Sequence, residues 1–208
     1  SFTWCHFQDE TPCHHRALAA SDENYKREWI ETCRSMVELL DGHPSVGFWT
    51  LFNEGWGQFD AQAAVKAVRE LDATRPIDAT SGWYDQDCGD FISIHNYFRP
   101  LRAGWRDIRK AQANRRREGA KQRAVIISEF GGLAQMVPEH TSLDHAYGYG
   151  NFATANDWCA AVKQELAKAE SLQAEGLAGY IYTQLSDVEE EVNGLLTYDR
   201  KVNKLSRS

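Results

Sequence analysis

Apolar positions change their period several times along this chain, and each change marks an expected element. Residues 1–20 are aromatic and polar without a period and read as a long loop. From Ser21, which can cap a helix, Tyr25, Trp29, Cys33, Met36, Val37 and Leu40 recur at three- and four-residue spacing, the stripe of an amphipathic helix that Gly42 and Pro44 close. The continuous apolar run at 46–52 has strand length. Asp60 opens a second helix with Ala61, Ala64, Val65, Val68 and Leu71 on its inner face, and Arg75-Pro76 resets the chain into a strand at 77–80. Residues 91–97 read as a strand, 101–118 as a charged helix, 124–128 as a strand and 131–150 as a long loop. A helix carrying Trp158, Val162, Leu166, Ala169 and Leu172 is closed by Gly176, and 180–185 is the last strand.

Five strands mostly separated by helices are the alternation of a parallel α/β sheet. In such folds the chemistry gathers at the carboxyl ends of the strands, which hold their last residues rigidly while the loops vary. Two strands end alike. The run at 46–52 stops at Asn53 and Glu54, then breaks into Gly55-Trp56-Gly57-Gln58-Phe59-Asp60; the run at 124–128 stops at Glu129, then Phe130-Gly131-Gly132. Two glutamates at the ends of separate core strands are what glycosidic-bond cleavage requires. One carboxyl protonates the leaving oxygen, and the other attacks the anomeric carbon or activates water.

Together these motifs resemble the catalytic barrel of glycoside hydrolase family 2, which contains β-galactosidases, β-glucuronidases and β-mannosidases. The resemblance extends from Asp22 to Arg200. It implies an α/β fold of the (β/α)8 TIM barrel type. A closed barrel takes about 250 residues and eight strands, so a partial barrel is expected, comprising strands 4 to 8, with 46–52 as strand four and 124–128 as strand seven. Residues 1–208 are then one catalytic barrel domain, incomplete on its N-terminal side. The resemblance implies Glu54 as general acid/base and Glu129 as nucleophile of a double displacement that retains anomeric configuration. Such a reaction needs the two carboxyl groups roughly 5 to 5.5 Å apart. Asn53 corresponds to a contact with the sugar 2-hydroxyl, and Tyr97 to a phenol that holds the nucleophile ionised. His95 is a candidate for a sugar hydroxyl or for a structural role. Trp56 and Trp83 can stack on a pyranose face or belong to the core. Gln184 stands where the family often carries a tryptophan, which alters the expected sugar pocket.

Charge and cysteine usage narrow the partners. The net charge of −7 argues against nucleic acid or an anionic membrane as the main partner, and no stretch reaches the roughly twenty apolar residues of a membrane span. The basic cluster at 106–117 reads as a solvated helix face. Five irregularly spaced cysteines give neither a disulfide framework nor a zinc site. Cys5-His6 and Cys13-His14-His15 concentrate metal-ligand types, but not at a knuckle spacing; neither metal nor cofactor is expected, and Cys33 reads as a small buried hydrophobe. Ser1 reads as a cut inside a larger protein, and the compartment is left open. Residues 187–194 carry four acids and read as a solvated acidic loop. By resemblance, glucuronidases hold an Asn-x-Lys pair here, and Asn193 takes the place of the lysine, so a neutral carbohydrate substrate such as a β-galactoside is favoured over an acidic one. The alternatives are a β-glucuronidase, and a non-catalytic carbohydrate-binding remnant or inactive barrel fragment whose open sheet edges would favour self-association.

Overall fold

The computed structural model describes residues 23–97, 101 and 122–207. It divides into two compact units, Ser1–Ile94 with Ala113–Val125, and His95–Gln112 with Ile126–Ser208. The expected loop at 1–20, the Ser21 cap, the Cys5 and Cys13 clusters and the basic helix at 101–118 lie outside the described residues, apart from Leu101, which is buried.

The first unit packs α1 (Glu23–Leu40) and α2 (Ala61–Leu71) on β1 (Trp49–Asn53) and β2 (Ile77–Ser81). The two strands run parallel, with Trp49 opposite Ile77 and Asn53 opposite Ser81. Val37, Trp49, Val68 and Ile77 form one buried cluster, against which Cys33 and Leu40 pack part-buried; Phe52, Phe59, Ala61 and Ala64 form a second. Met36, expected on the inner face of α1, is 45% exposed: the apolar stripe is wider than the surface that covers it. Asp60 caps α2 as expected, its side chain accepting from the Ala63 amide at 3.1 Å. Strand β1 begins later than position 46. The Val46 amide turns back to the His43 carbonyl and the Val46 carbonyl is taken by Arg75 Nε, so 46–48 never joins the ladder.

The turn from α2 into β2 is organised by the buried Asp72. Its carboxylate accepts from Trp49 Nε1, Thr74 Oγ1 and Arg75 Nη1 at 2.9, 2.6 and 2.8 Å. Those donors, the Thr74 hydroxyl first and the Arg75 guanidinium next, hold the carboxyl far below the usual carboxylate range.

A three-stranded sheet takes the order β3 (Phe91–Asn96), β4 (Ala124–Gly131), β7 (Gly179–Thr183). In the second unit β4 and β7 run parallel, and helix α3 (Ala155–Ser171) contributes Trp158, Cys159 and Val162 to a core shared with Leu133. Thr154 caps α3 by accepting from the Asp157 amide, and Gly176, at φ 105°, ends the following turn as expected. The segment 131–150 is not a plain loop. Its two ends pair as the short parallel strands β5 (Leu133–Ala134) and β6 (Gly150–Asn151), with Leu133 opposite Gly150. The last strand stops at Thr183, earlier than expected, because the carbonyls of Gln184 and Leu185 accept from Leu195 and Leu196. Among the described residues no helix is long and apolar enough to cross a membrane.

Candidate active site

In the first unit the chain leaves β1 through a tight turn that fixes Glu54. The Glu54 amide still donates to the Ser81 carbonyl at 2.9 Å, so the ladder with β2 reaches this residue. Its backbone then bends to φ 53°, followed by Gly55 at 78° and Gly57 at 59°. A non-glycine residue in the left-handed region costs on the order of 1 kcal/mol, and such strain concentrates at functional turns. The turn is held from two sides. Tyr25 Oη donates to the Gly57 carbonyl at 3.0 Å, and a Cβ at Gly57 would lie 2.0 Å from that oxygen. Gln58, fully buried, donates from Nε2 to the Tyr84 carbonyl at 3.0 Å. The unit therefore carries four predicted site residues at the end of β1 and on the segments that follow β1 and β2: Asn53 exposed, Glu54 and Trp56 half-buried, and Trp83 39% exposed with its ring edge-on to Tyr84.

In the second unit the sheet order places Glu129 on the middle strand. Between Ile127 and Phe130 the register of β4 against β7 shifts by one residue, a bulge that includes Ser128 and Glu129. A bulge rotates the inserted residues out of strict alternation and re-aims a side chain. Glu129 thereby stays 28% exposed while its neighbours on β4 are buried. Tyr97 Oη donates to Glu129 Oε2 at 2.5 Å, a charge-assisted bond, and lies 3.3 Å from Thr183 Oγ1 of β7. His95, two residues earlier and so on the same face, places Nδ1 3.3 Å from the same carboxylate oxygen with its side chain almost fully buried. Burial, and next the hydrogen bond to Glu129, push the Tyr97 phenol far above its ordinary value, so it stays a donor at any working pH. His95 and Tyr97 thus both meet Glu129, whereas Gln184 turns elsewhere. Gln184 Nε2 donates to Asn193 Oδ1 at 2.8 Å and Glu191 Oε2 at 3.2 Å, and Asn193 Nδ2 donates to the same Glu191 oxygen.

Segment 187–194 corrects the expectation of a solvated loop. Glu189 and Glu190 are exposed, but Asp187, Asn193 and Gly194 are buried. Asp187 Oδ1 accepts from the Gly194 amide and from the fully buried Lys204 Nζ at 2.7 Å. Three contributors to this region were not picked out from the sequence: Thr183, Glu191, and Tyr149, whose ring stacks on Tyr97. Thr183 closes a strand already read as such; the other two lie in segments with no period to announce them.

Comparison with known proteins places the chain in a family. Residues 3–205 match the model of the glycosyl hydrolases family 2, TIM barrel domain. A β-galactosidase of Priestia megaterium is 32% identical over 75 residues, covering 36% of this chain and 7% of that protein. Among solved structures, a family 2 β-galacturonidase from Eisenbergiella tayi bound to galacturonate superposes with a TM-score of 0.61 at 16% identity, covering 89% of this chain and 36% of that one. The β-glucuronidase of Parabacteroides merdae gives a TM-score of 0.60 at 18% identity, with 89% and 26% covered. The chain thus spans about a third or less of the length of these relatives. With the match running through nearly every residue, this chain belongs to glycosyl hydrolase family 2 and carries its TIM barrel domain fold.

Proposed function

We propose that this chain supplies the catalytic carboxylates of a retaining β-glycosidase that removes a terminal neutral sugar, a β-galactoside being the favoured class. Strands β1, β2, β3, β4 and β7 are assigned to the fourth to eighth strands of the barrel. In this reading Glu129 attacks the anomeric carbon while Glu54 gives its proton to the leaving oxygen, so the carbon–oxygen bond breaks and a glycosyl ester forms on Glu129. Glu54, now a base, takes a proton from water, and that water releases the sugar with configuration retained. The reading requires the two carboxyl groups roughly 5 to 5.5 Å apart. Asn53 is assigned to the sugar 2-hydroxyl, His95 to orienting Glu129, and Trp56 and Trp83 to the sugar faces.

The observation that carries this reading is the 2.5 Å hydrogen bond from Tyr97 to Glu129. It joins a phenol donor to a carboxylate that stays 28% exposed, and a nucleophile needs both an orienting donor and access to substrate. The preference for a neutral sugar rests on segment 187–194, which contains no lysine or arginine and places the Glu191 carboxylate beside Gln184. A uronate brought there would meet a like charge. The β-uronidase reading is the runner-up, supported by what the solved relatives are named for acting on.

Activated 2-fluoro sugars of galacto, gluco, manno and glucurono configuration, applied to the intact protein and followed by peptide mass mapping, test both levels. The expected result is an adduct on Glu129, formed fastest with the galacto reagent. An adduct on another residue, or undiminished turnover by Glu129→Gln, overturns the mechanism. Fastest labelling by the glucurono reagent replaces the substrate class, and absence of any adduct favours a non-catalytic remnant.

A further inference from the structure

The Tyr97 hydroxyl can serve Glu129 only if its ring is held in one plane, and β3 ends one residue before it, at Asn96. What fixes the ring comes from the far end of segment 131–150. Tyr149 lies parallel to Tyr97 with ring centroids 4.1 Å apart and planes inclined by 8°. Tyr149 is itself tied down on both sides of its position. Its amide donates to the Gly132 carbonyl at 3.0 Å, and the next two residues form β6, paired with β5. The backbone beside the two rings is pared to make room. Gly132 sits at φ 61°, and a Cβ there would lie 2.7 Å from Tyr149 Cδ2 and 3.1 Å from Tyr97 Cδ1. At Gly148 a Cβ would lie 2.6 Å from the Ala134 Cβ, so the returning chain also approaches β5 only because it carries no side chain there. Two glycines and a two-residue ladder have one common effect, which is to lay one tyrosine on another.

A ring recruited simply for core volume would be buried, yet Tyr149 is 53% exposed and Tyr147, edge-on to it at 6.2 Å, is 51% exposed. About half of the residue is left in water while one ring face is laid flat on Tyr97. That distribution fits a residue retained for where it holds Tyr97 rather than for the area it buries.

We propose that Tyr149 is a positioning residue of the active site: stacked on Tyr97 by the β5–β6 clip, it fixes the phenol against Glu129 and so sets the orientation of the nucleophile. This rests on the assignment of Glu129 as nucleophile. In this proposal Tyr149 acts through Tyr97. The stack needs a flat ring and not the hydroxyl, so Tyr149→Phe should preserve function, whereas Tyr149→Ala and Tyr149→Leu should not.

The test is a double-mutant cycle in the intact protein, read by kcat, KM, the acid limb of the kcat/KM profile and the rate at which a 2-fluoro sugar labels Glu129. Tyr149→Ala is expected to lower kcat and the labelling rate about 3- to 10-fold, the range set by an aromatic pair, with KM nearly unchanged. The acid limb should move upward, because a carboxylate that loses its donor is harder to ionise. Tyr149→Leu, which keeps an apolar cover over Tyr97, should behave like Tyr149→Ala, and Tyr149→Phe should lie within about twofold of the parent. Added to Tyr97→Phe, the Tyr149→Ala change should cost nothing further. Additive losses in that double variant, an equal loss in Tyr149→Phe, or an unshifted acid limb would overturn the proposal while a Glu129 adduct in the parent left the nucleophile assignment standing. A parent protein that labels elsewhere removes that assignment and this proposal with it.

Discussion

Replacing Lys204 by methionine should destabilise the protein out of proportion to the small change in shape. Its ammonium is fully buried and spends all three protons, on Asp187 Oδ1 at 2.7 Å, the Gln135 carbonyl at 2.9 Å and the Val192 carbonyl at 3.0 Å, while the ammonium lies 5.8 Å from the Trp158 ring centroid. Methionine keeps the stem and removes the charge. Asp187 then stays buried with its lysine gone and the Gly194 amide still donating to it at 2.8 Å. Breaking a buried pair from one side costs about 3–5 kcal/mol, which in a chain of this size lowers Tm by about 6–20 °C. The pair itself is worth much less. Burial pushes the Lys204 ammonium down and the Asp187 carboxyl up, and in each case the partner's charge is the smaller, opposing cause. Both groups are thus worse off ionised here than in water, so the apolar double variant Lys204→Met with Asp187→Leu should recover most of the loss. Sign follows too. A carboxyl whose folded pKa is raised contributes stability below its unfolded value and loses it as pH rises through the folded one, so the Lys204→Met deficit should shrink as pH falls from 7 toward 5. Urea unfolding followed by tryptophan fluorescence measures Lys204→Met, Asp187→Leu and the double variant. A single-variant cost under about 1 kcal/mol, or a double variant whose loss equals the two singles combined, refutes this account.

Two further expectations concern other anchors. Asp72→Asn should leave the parent's stability advantage constant between pH 7 and about 5 and narrow it only below about pH 4. A carboxyl held low by Thr74 and Arg75 contributes above the ordinary carboxylate range and loses that contribution only as pH falls through its depressed value. An advantage already closing above pH 5 in acid-unfolding curves would contradict it. Gly194→Ala should cost about 1–3 kcal/mol by thermal melting, because a Cβ there would lie 2.2 Å from the Asp187 nitrogen and the Ser186 carbonyl carbon, backbone atoms that no rotamer change can clear; an unchanged Tm would show that the 186–194 backbone yields.

An apolar run that meets a carboxylate is a local signal, and by it Glu54 and Glu129 stand out in the sequence, but β4 runs on to Gly131 and carries Glu129 within the strand, not at the end expected at 128; α2 and α3 are legible because Asp60 and Gly176 punctuate the 3.6-residue period they bound. What the sequence does not announce is what depends on a distant partner. The bulge at Ser128 and Glu129 exists only relative to β7 and has no composition of its own. Strands β5 and β6 are two residues each, too short for any period. Asp187 looks like one more acid in an acidic run until Lys204, 17 positions later, takes it into the interior. Val46 belongs to the apolar run by composition, but a carbonyl claimed by Arg75, 29 positions away, keeps it out of the strand.

The two glutamates are supported in different ways, and the difference matches the work proposed for each. Glu129 sits within a strand that has neighbours on both sides, so β3 brings His95 and Tyr97 to its carboxylate and β7 brings Thr183 to the Tyr97 oxygen. A nucleophile must be ionised and aimed before substrate arrives, and donors mounted on adjacent strands do both without reorganising. Glu54 lies one residue past the end of β1, its amide still bonded to β2 and its φ already positive. A group that gives and then recovers a proton in each turnover needs its backbone fixed while its carboxyl changes state. The turn supplies that fixing through Tyr25, Gln58 and the glycines.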